Sequence, residues 1–167
     1  MNRTLSPTAS LLDVRVLAAG ALSALVVTTV PAAHAASEDW YSRSSPLKAV
    51  EDGKTQGMAY GTSYTKNTFL KNHTNYRDAR EGGDGVYTQT NYTYRVPDAD
   101  GESWTESGKT DQSSRTTSGS WVDQYDNDDY STSHADASKG RVHSKVCEDQ
   151  AWSPDACSRR PFFTFDL

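Results

Sequence analysis

The C-terminal 27 residues, Arg141 to Leu167 (RVHSKVCEDQAWSPDACSRRPFFTFDL), constrain the fold more than any other stretch. They hold both cysteines, Cys147 and Cys157, and a dense apolar cluster, Phe162, Phe163, Phe165 and Leu167. Val142, Ser144 and Val146 alternate with Arg141, His143, Lys145 and Cys147. Phe163, Phe165 and Leu167 likewise share one parity. Period-two alternation is the mark of a strand. Two strands joined by so short a segment favour antiparallel pairing, since a parallel crossover needs more chain. Pairing Cys147 with Cys157 would close the connection, at about 3 kcal/mol in the chain-entropy picture. The spacing of the two cysteines matches neither a zinc finger nor a redox C-x-x-C.

The disulfide requires an oxidising compartment, and the N-terminus supplies a route to one. Arg3 and Arg15 precede an apolar run, Val16 to Val30, which ends in Pro31 and Ala33-His34-Ala35. That is the layout of a secretory signal. The run is shorter than the roughly 20 residues a spanning helix needs. Residues 1–35 are therefore expected to be a cleaved signal peptide. Residues 36–55 are expected to be an irregular N-terminal arm, with a turn of helix near Leu47 to Glu51, and residues 56–167 a β-domain. The expected localisation is secreted, extracellular. Removing Arg3, Arg15 and Asp13 from the 17 basic and 22 acidic residues leaves 15 and 21, a net charge of −6. Such a chain is repelled by phosphate backbones and anionic lipid. No nucleic acid partner is expected, and no membrane partner after cleavage.

What lies between reads as strands. Val86 to Val96 alternates through Val86, Thr88, Thr90, Tyr92, Tyr94 and Val96, a β-branched and aromatic face. Met58, Tyr60, Thr62 and Tyr64 alternate with small residues, and a further strand is read over Asn67 to Tyr76. Glu81-Gly82-Gly83-Asp84-Gly85 and Pro97 to Gly101 read as turns. Lys109 to Tyr125 reads as a long solvent-facing strand, and Asp126 to Lys139 as an acidic loop. The fold class expected is all-β: a small antiparallel β-sandwich of about five to seven strands with one disulfide, a small barrel being the alternative.

After the leader there is no isoleucine and there are nine Leu or Val, against 17 aromatics. The core must therefore be aromatic-rich and partly polar, with tyrosine hydroxyls reaching a partner.

The residues Val146 to Gln150 (VCEDQ), Ser153-Pro154-Asp155 and Cys157 follow a Ser/Thr-rich segment with an aromatic, Thr116 to Trp121. Together they resemble a pattern shared by small secreted β proteins of filamentous soil bacteria. The resemblance covers roughly the last half of the exported chain. It implies a secreted β-domain with one disulfide. It implies no activity, and no functional residue carries over.

Candidate chemistry is sparse. His73, His134 and His143 stand in no G-x-S-x-G or H-E-x-x-H context, and His143 is placed on a solvent-facing strand surface. Surface histidines without a catalytic role are the expectation, and no cofactor is expected. Asp126, Asp128 and Asp129 offer oxygen ligands for calcium, but without EF-hand spacing. A solvated acidic loop is the preferred reading, with no metal. The surplus aromatics are the better lead. Tyr87, Trp104, Trp121, Tyr125 and Trp152 are read as exposed, and aromatic rings on a flat β-surface suit stacking on sugar rings. The function expected is a non-enzymatic secreted domain binding an extracellular partner such as a polysaccharide, an envelope component or a protein. The alternatives are a secreted effector, either a protease inhibitor or an antagonistic toxin presenting the disulfide loop, and lastly a small hydrolase.

Overall fold

A computed structural model describes residues 36–80, 83–105 and 108–167. The leader lies outside them, as do Glu81 and Gly82 of the glycine-rich turn. The described chain is all-β, built as two antiparallel sheets. Each sheet has two long central strands. In the first, β3 (Lys54–Lys66) pairs with β4 (Phe69–Asp78). The outer edge of β3 is shared by β1 (Ser37–Trp40) and β2 (Leu47–Glu51), and β8 (Val122–Asp129) borders β4. In the second, β5 (Val86–Asp98) pairs with β9 (Lys139–Glu148). β6 (Gly101–Trp104) and β7 (Thr110–Gln112) line β5. β10 (Ala156–Cys157) and β11 (Phe162–Asp166) line β9. A single turn of helix, α1 (Tyr130–Ser133), follows β8. The eleven strands exceed the five to seven expected because the edges are divided into short pieces.

The alternation of β3 resolves in an instructive direction. Its small residues, Gly57, Ala59, Gly61 and Ser63, face the opposite sheet, and its large ones, Tyr60 and Tyr64, face out. The space above the small residues is taken by Trp40, which is 2% exposed. A Cβ on Gly61 would lie 2.1 Å from the His73 carbonyl oxygen and 2.7 Å from the Trp40 ring. Glycine is required there by close approach. Two apolar clusters result. One joins Trp40, Leu47, Ala49, Ala59, Tyr76, Val86 and Val146. The other joins Leu70, Tyr92, Tyr94, Val142 and Phe165.

The core also carries a buried polar network, centred on Asn72. Asn72 is 1% exposed. Its Oδ1 accepts from Trp40 Nε1 at 3.1 Å and Ser63 Oγ at 3.0 Å. Its Nδ2 donates to Thr74 Oγ1 at 2.8 Å and, across the sandwich, to Thr90 Oγ1 at 2.9 Å. Thr90 in turn donates to buried Asp126 at 2.6 Å, which also accepts from Gln124. Both amide donors and both acceptor lone pairs of Asn72 are thus used. Two core tyrosine hydroxyls find partners, Tyr76 donating to the Ser114 carbonyl and Tyr94 to Asp128, whereas that of Tyr92 is buried without one.

Several expectations are corrected. The N-terminal arm is not irregular: it forms β1 and β2, and Leu47 to Glu51 is a strand instead of a helical turn. Asp52 and Gly53, both at positive φ, make the tight turn joining β2 to β3. The long strand expected over Lys109 to Tyr125 is broken. Thr110–Gln112 pairs with β5, Thr116 adds a single bridge to Val86, and β8 then joins the first sheet. The start of the expected acidic loop is strand, because every second residue of β8 meets the core: Asp126 is 6% exposed.

Cys147 and Cys157 are bonded and sit opposite one another in the β9–β10 ladder. Cys147→Ser should lower unfolding stability by about 2 to 4 kcal/mol in urea melts. An unchanged midpoint would show that the ladder holds the loop alone. Asn72→Ala should cost more, about 3 kcal/mol or above, since it strands the Trp40 indole and the Ser63 and Thr74 hydroxyls in the interior. A loss under 1 kcal/mol would remove the network as a determinant of stability.

Candidate functional site

The outer face of the first sheet carries the aromatics that the core did not take. Register aligns Asp39, Thr62, His73 and Tyr125 in one row across four strands. Tyr60, Asn75 and Asp123 form the next. The His73 and Tyr125 rings stack nearly parallel, 3° apart with centroids 4.2 Å apart. His73 Nε2 contacts Asp123 Oδ1 at 3.1 Å, which fixes the imidazole from one side. Tyr125 is 66% exposed, so its ring is backed by His73 and open to solvent. Tyr60 packs edge-on against Trp121, and the Arg77 guanidinium lies 5.1 Å from the Trp121 ring. Arg77 also donates to the Gly119 carbonyl, tying down the segment that carries Trp121.

Beside His73 the surface dips into an open cleft of about 350 Å³, lined by Tyr60, His73, Asp39, Thr62, Asn75 and the Tyr41–Arg43 turn. Tyr41 holds a backbone φ of 60°, a left-handed conformation rare for a bulky residue. Its ring packs on the Trp40 cluster and beneath Arg159. Thr62 donates to Asp39 at 2.6 Å on the cleft wall. The cleft therefore offers aromatic walls together with amide, hydroxyl and carboxylate groups.

Of the five aromatics read from the sequence as exposed, two meet here: Trp121 and Tyr125. The sequence missed Tyr41, Tyr60 and His73 as their neighbours. The alternation of β3 placed Tyr60 on one face without telling which face was outside. Tyr87 and Trp104 lie instead on the outer face of the second sheet, and neither is free. Tyr87 is 4% exposed, under the Arg115 guanidinium at 4.3 Å, with its hydroxyl donating to Asp155. Burial first, then that hydrogen bond, pushes its hydroxyl up to about 12. Trp104 is covered by Arg141 at 3.7 Å. Trp152 stands alone and fully exposed in the disulfide loop.

The acidic residues weighed as calcium ligands do not converge. Asp126 is engaged by Thr90 and Gln124, and Asp128 by Tyr94. Asp129, on the opposite strand parity, caps α1 through Ser131. Among the described residues no group of three or more His, Cys, Asp or Glu is arranged to hold a metal. His134 lies against Tyr94, with ring centroids 4.4 Å apart. His143 corrects its expected exposure: it is 9% exposed, beside Phe162 and in contact with the Thr93 hydroxyl. No protein-family model matches the chain, and neither a curated protein nor a solved structure matches it.

Burial, reinforced by Arg160 and Arg141, pushes His143 down from the ordinary 6.5 to about 4. Between those values the unfolded chain binds the proton and the folded chain does not. Stability is therefore full above pH 6.5 and lost as the pH falls towards 4. Between pH 7 and 4 the wild type should lose roughly 2 to 3 kcal/mol more than His143→Gln. Parallel pH profiles of unfolding for the two proteins would refute it.

Proposed function

We propose that this is a secreted, non-enzymatic binding domain whose first sheet takes a polysaccharide on its outer face. The observation that carries the reading is Tyr125, an exposed ring backed in parallel by His73 at the edge of a polar, aromatic-walled cleft. A sugar ring has an apolar face, which stacks on an aromatic side chain. Its hydroxyls need hydrogen-bond partners of the kind Asn75, Thr62 and Asp39 present. Pre-stacking on His73 limits what Tyr125 loses in rotamer freedom on binding. Secretion is supported by the leader-like N-terminus and the disulfide. Among the described residues no helix is long and apolar enough to cross a membrane. The C-terminal resemblance to small secreted bacterial β proteins points the same way.

A second reading has its own support. The loop holding Trp152 is closed by the disulfide and braced from within. Asp155 accepts from the Gln150 amide at 3.2 Å and from the Tyr87 hydroxyl at 2.6 Å. A fully exposed tryptophan on a braced loop is suited to insertion into a partner's pocket, as an inhibitor or other effector would present it.

Pull-down on insoluble cellulose, chitin, xylan and peptidoglycan separates the readings. The wild type should be retained by at least one of them. Tyr125→Ala should weaken that retention at least tenfold, as expected for a lost stacking anchor, while Trp152→Ala leaves it unchanged. Retention by none of them, or equal retention of Tyr125→Ala, would sink the sugar-binding proposal. Inhibition within a protease panel that is lost on Trp152→Ala would favour the second reading.

A further inference from the structure

We infer that the outer face of the second sheet is a separate binding surface for a linear polyanionic glycan, contacted by Arg141, Lys145 and Arg160. The inference starts from charge pairing. The chain is acidic overall, yet on this face the cations outnumber their partners. Lys139 pairs with Asp166, Arg95 with Glu102, and Arg115 with Asp149. Among the described residues Arg141, Lys145 and Arg160 form no salt bridge; the carboxylate nearest in charge to Lys145, Asp155, is already engaged by the Tyr87 hydroxyl and the Gln150 backbone N–H. Arg141 and Lys145 alternate with the inward residues of β9, so both project from the outer face. Arg160 precedes β11 and lies near enough to His143 to act on its charge, as Arg141 does.

The geometry selects a polymer over a single small anion. Arg141 and Lys145 lie four residues apart along one strand, about 13 Å at strand rise. One carboxylate or sulfate cannot bridge that gap, whereas acid groups repeated along a chain can. Arg141 is also held in place: its guanidinium lies over Trp104 at 3.7 Å and near Phe162 at 4.7 Å, and its Nε donates to Thr164. A cation fixed on an aromatic face loses little freedom on meeting an anion. Gln89, projecting from β5 on the same face, supplies an amide group for hydroxyls, while the Asn91 amide is held by Thr110 and Lys109.

Two other polyanions fit less well. Single-stranded nucleic acid needs open rings on which bases stack. Here Tyr87 and Trp104 are already covered by arginines. A membrane surface needs an apolar face to insert, and among the described residues the only large hydrophobic side chain exposed on this one is Phe162.

The test is affinity electrophoresis of the disulfide-bonded protein in gels containing polygalacturonate, dextran sulfate or neutral dextran. Sedimentation with anionic vesicles and a gel shift with single-stranded DNA run alongside. Retardation by a polyanionic glycan but not by dextran is expected, with Kd rising at least tenfold between 50 and 300 mM salt, about the range over which screening sets in. Lys145→Gln/Arg160→Gln should abolish most of it. That pair leaves the Trp104–Arg141 contact intact, so a folding defect does not confuse the result. Adding Arg141→Gln should remove the remainder, with the fold checked by thermal melting. No retardation by either polyanionic glycan, retardation unchanged in the double variant, or tighter binding to vesicles or DNA would overturn the inference. Tyr125→Ala should leave this binding intact, so it fails or stands independently of the first-sheet site.

Discussion

The four hydrogen bonds of Asn72 are the interaction on which the rest of the structure depends. They tie β1, β3 and β4 to one another and cross to β5, from which Thr90 reaches Asp126 on β8. Five strands from both sheets are thus fixed by one side chain and its nearest neighbours. A buried amide left half-satisfied would cost more than an apolar residue in its place. Here each partner is satisfied, and the network sets register as well as distance. A one-residue slip of β4 would turn Asn72 outward and bury His73. The chain has too few aliphatic residues to impose that register by hydrophobic pattern alone.

The same network explains where the aromatics go. Trp40 bonds Asn72 through its indole nitrogen and lies over the small face of β3. With that volume filled from β1, and with Tyr92 and Tyr94 entering from the opposite sheet, no room remains inside for Tyr60 or Tyr64. They are displaced to the outer face. Tyr60 meets Trp121 there, and Tyr125 joins His73 in the next row. The candidate binding face follows from how the core is filled: aromatics that the interior cannot hold are collected, by strand register, on one flat surface.

Much of this was legible in the sequence, and what was not has identifiable causes. The alternation from Val86 to Val96, the alternation after Arg141 and the cysteine pair each carried a local signal strong enough to stand alone, and β5, β9 and the disulfide are the result. The polar composition of the N-terminal arm hides its two strands. Its Asp52-Gly53 pair was nonetheless a hairpin signal between Leu47, Ala49 and the β3 alternation. Parity could sort the residues of β3 into two faces but could not say which was inside. That depended on Trp40, some twenty residues away. The burial of His143 is hidden in the same way: β9 lies at the centre of its sheet, and Phe162 comes to lie against the imidazole only once β11 has paired.

The acidic segment over β8 has a structural reason that sequence composition alone does not reveal. β8 is a sheet edge, bonded to β4 on one side only. An exposed edge is a template for pairing with another chain, and natural sheets blunt it with charge or with short, broken strands. Three of the four outer edges of this sandwich are built from short pieces: β1 with β2, β6 with β7, and β10 with β11. β8 is the exception, eight residues long and continuous, and it carries Asp123, Asp126, Asp128 and Asp129. Two of those carboxylates are spent on Thr90 and Tyr94, which anchor the edge to the core. Asp123 and Asp129 remain on the outer face, where a second copy of β8 laid alongside would meet like charges. The edge can therefore keep an exposed ring at Tyr125 for a ligand without offering its backbone to another sheet.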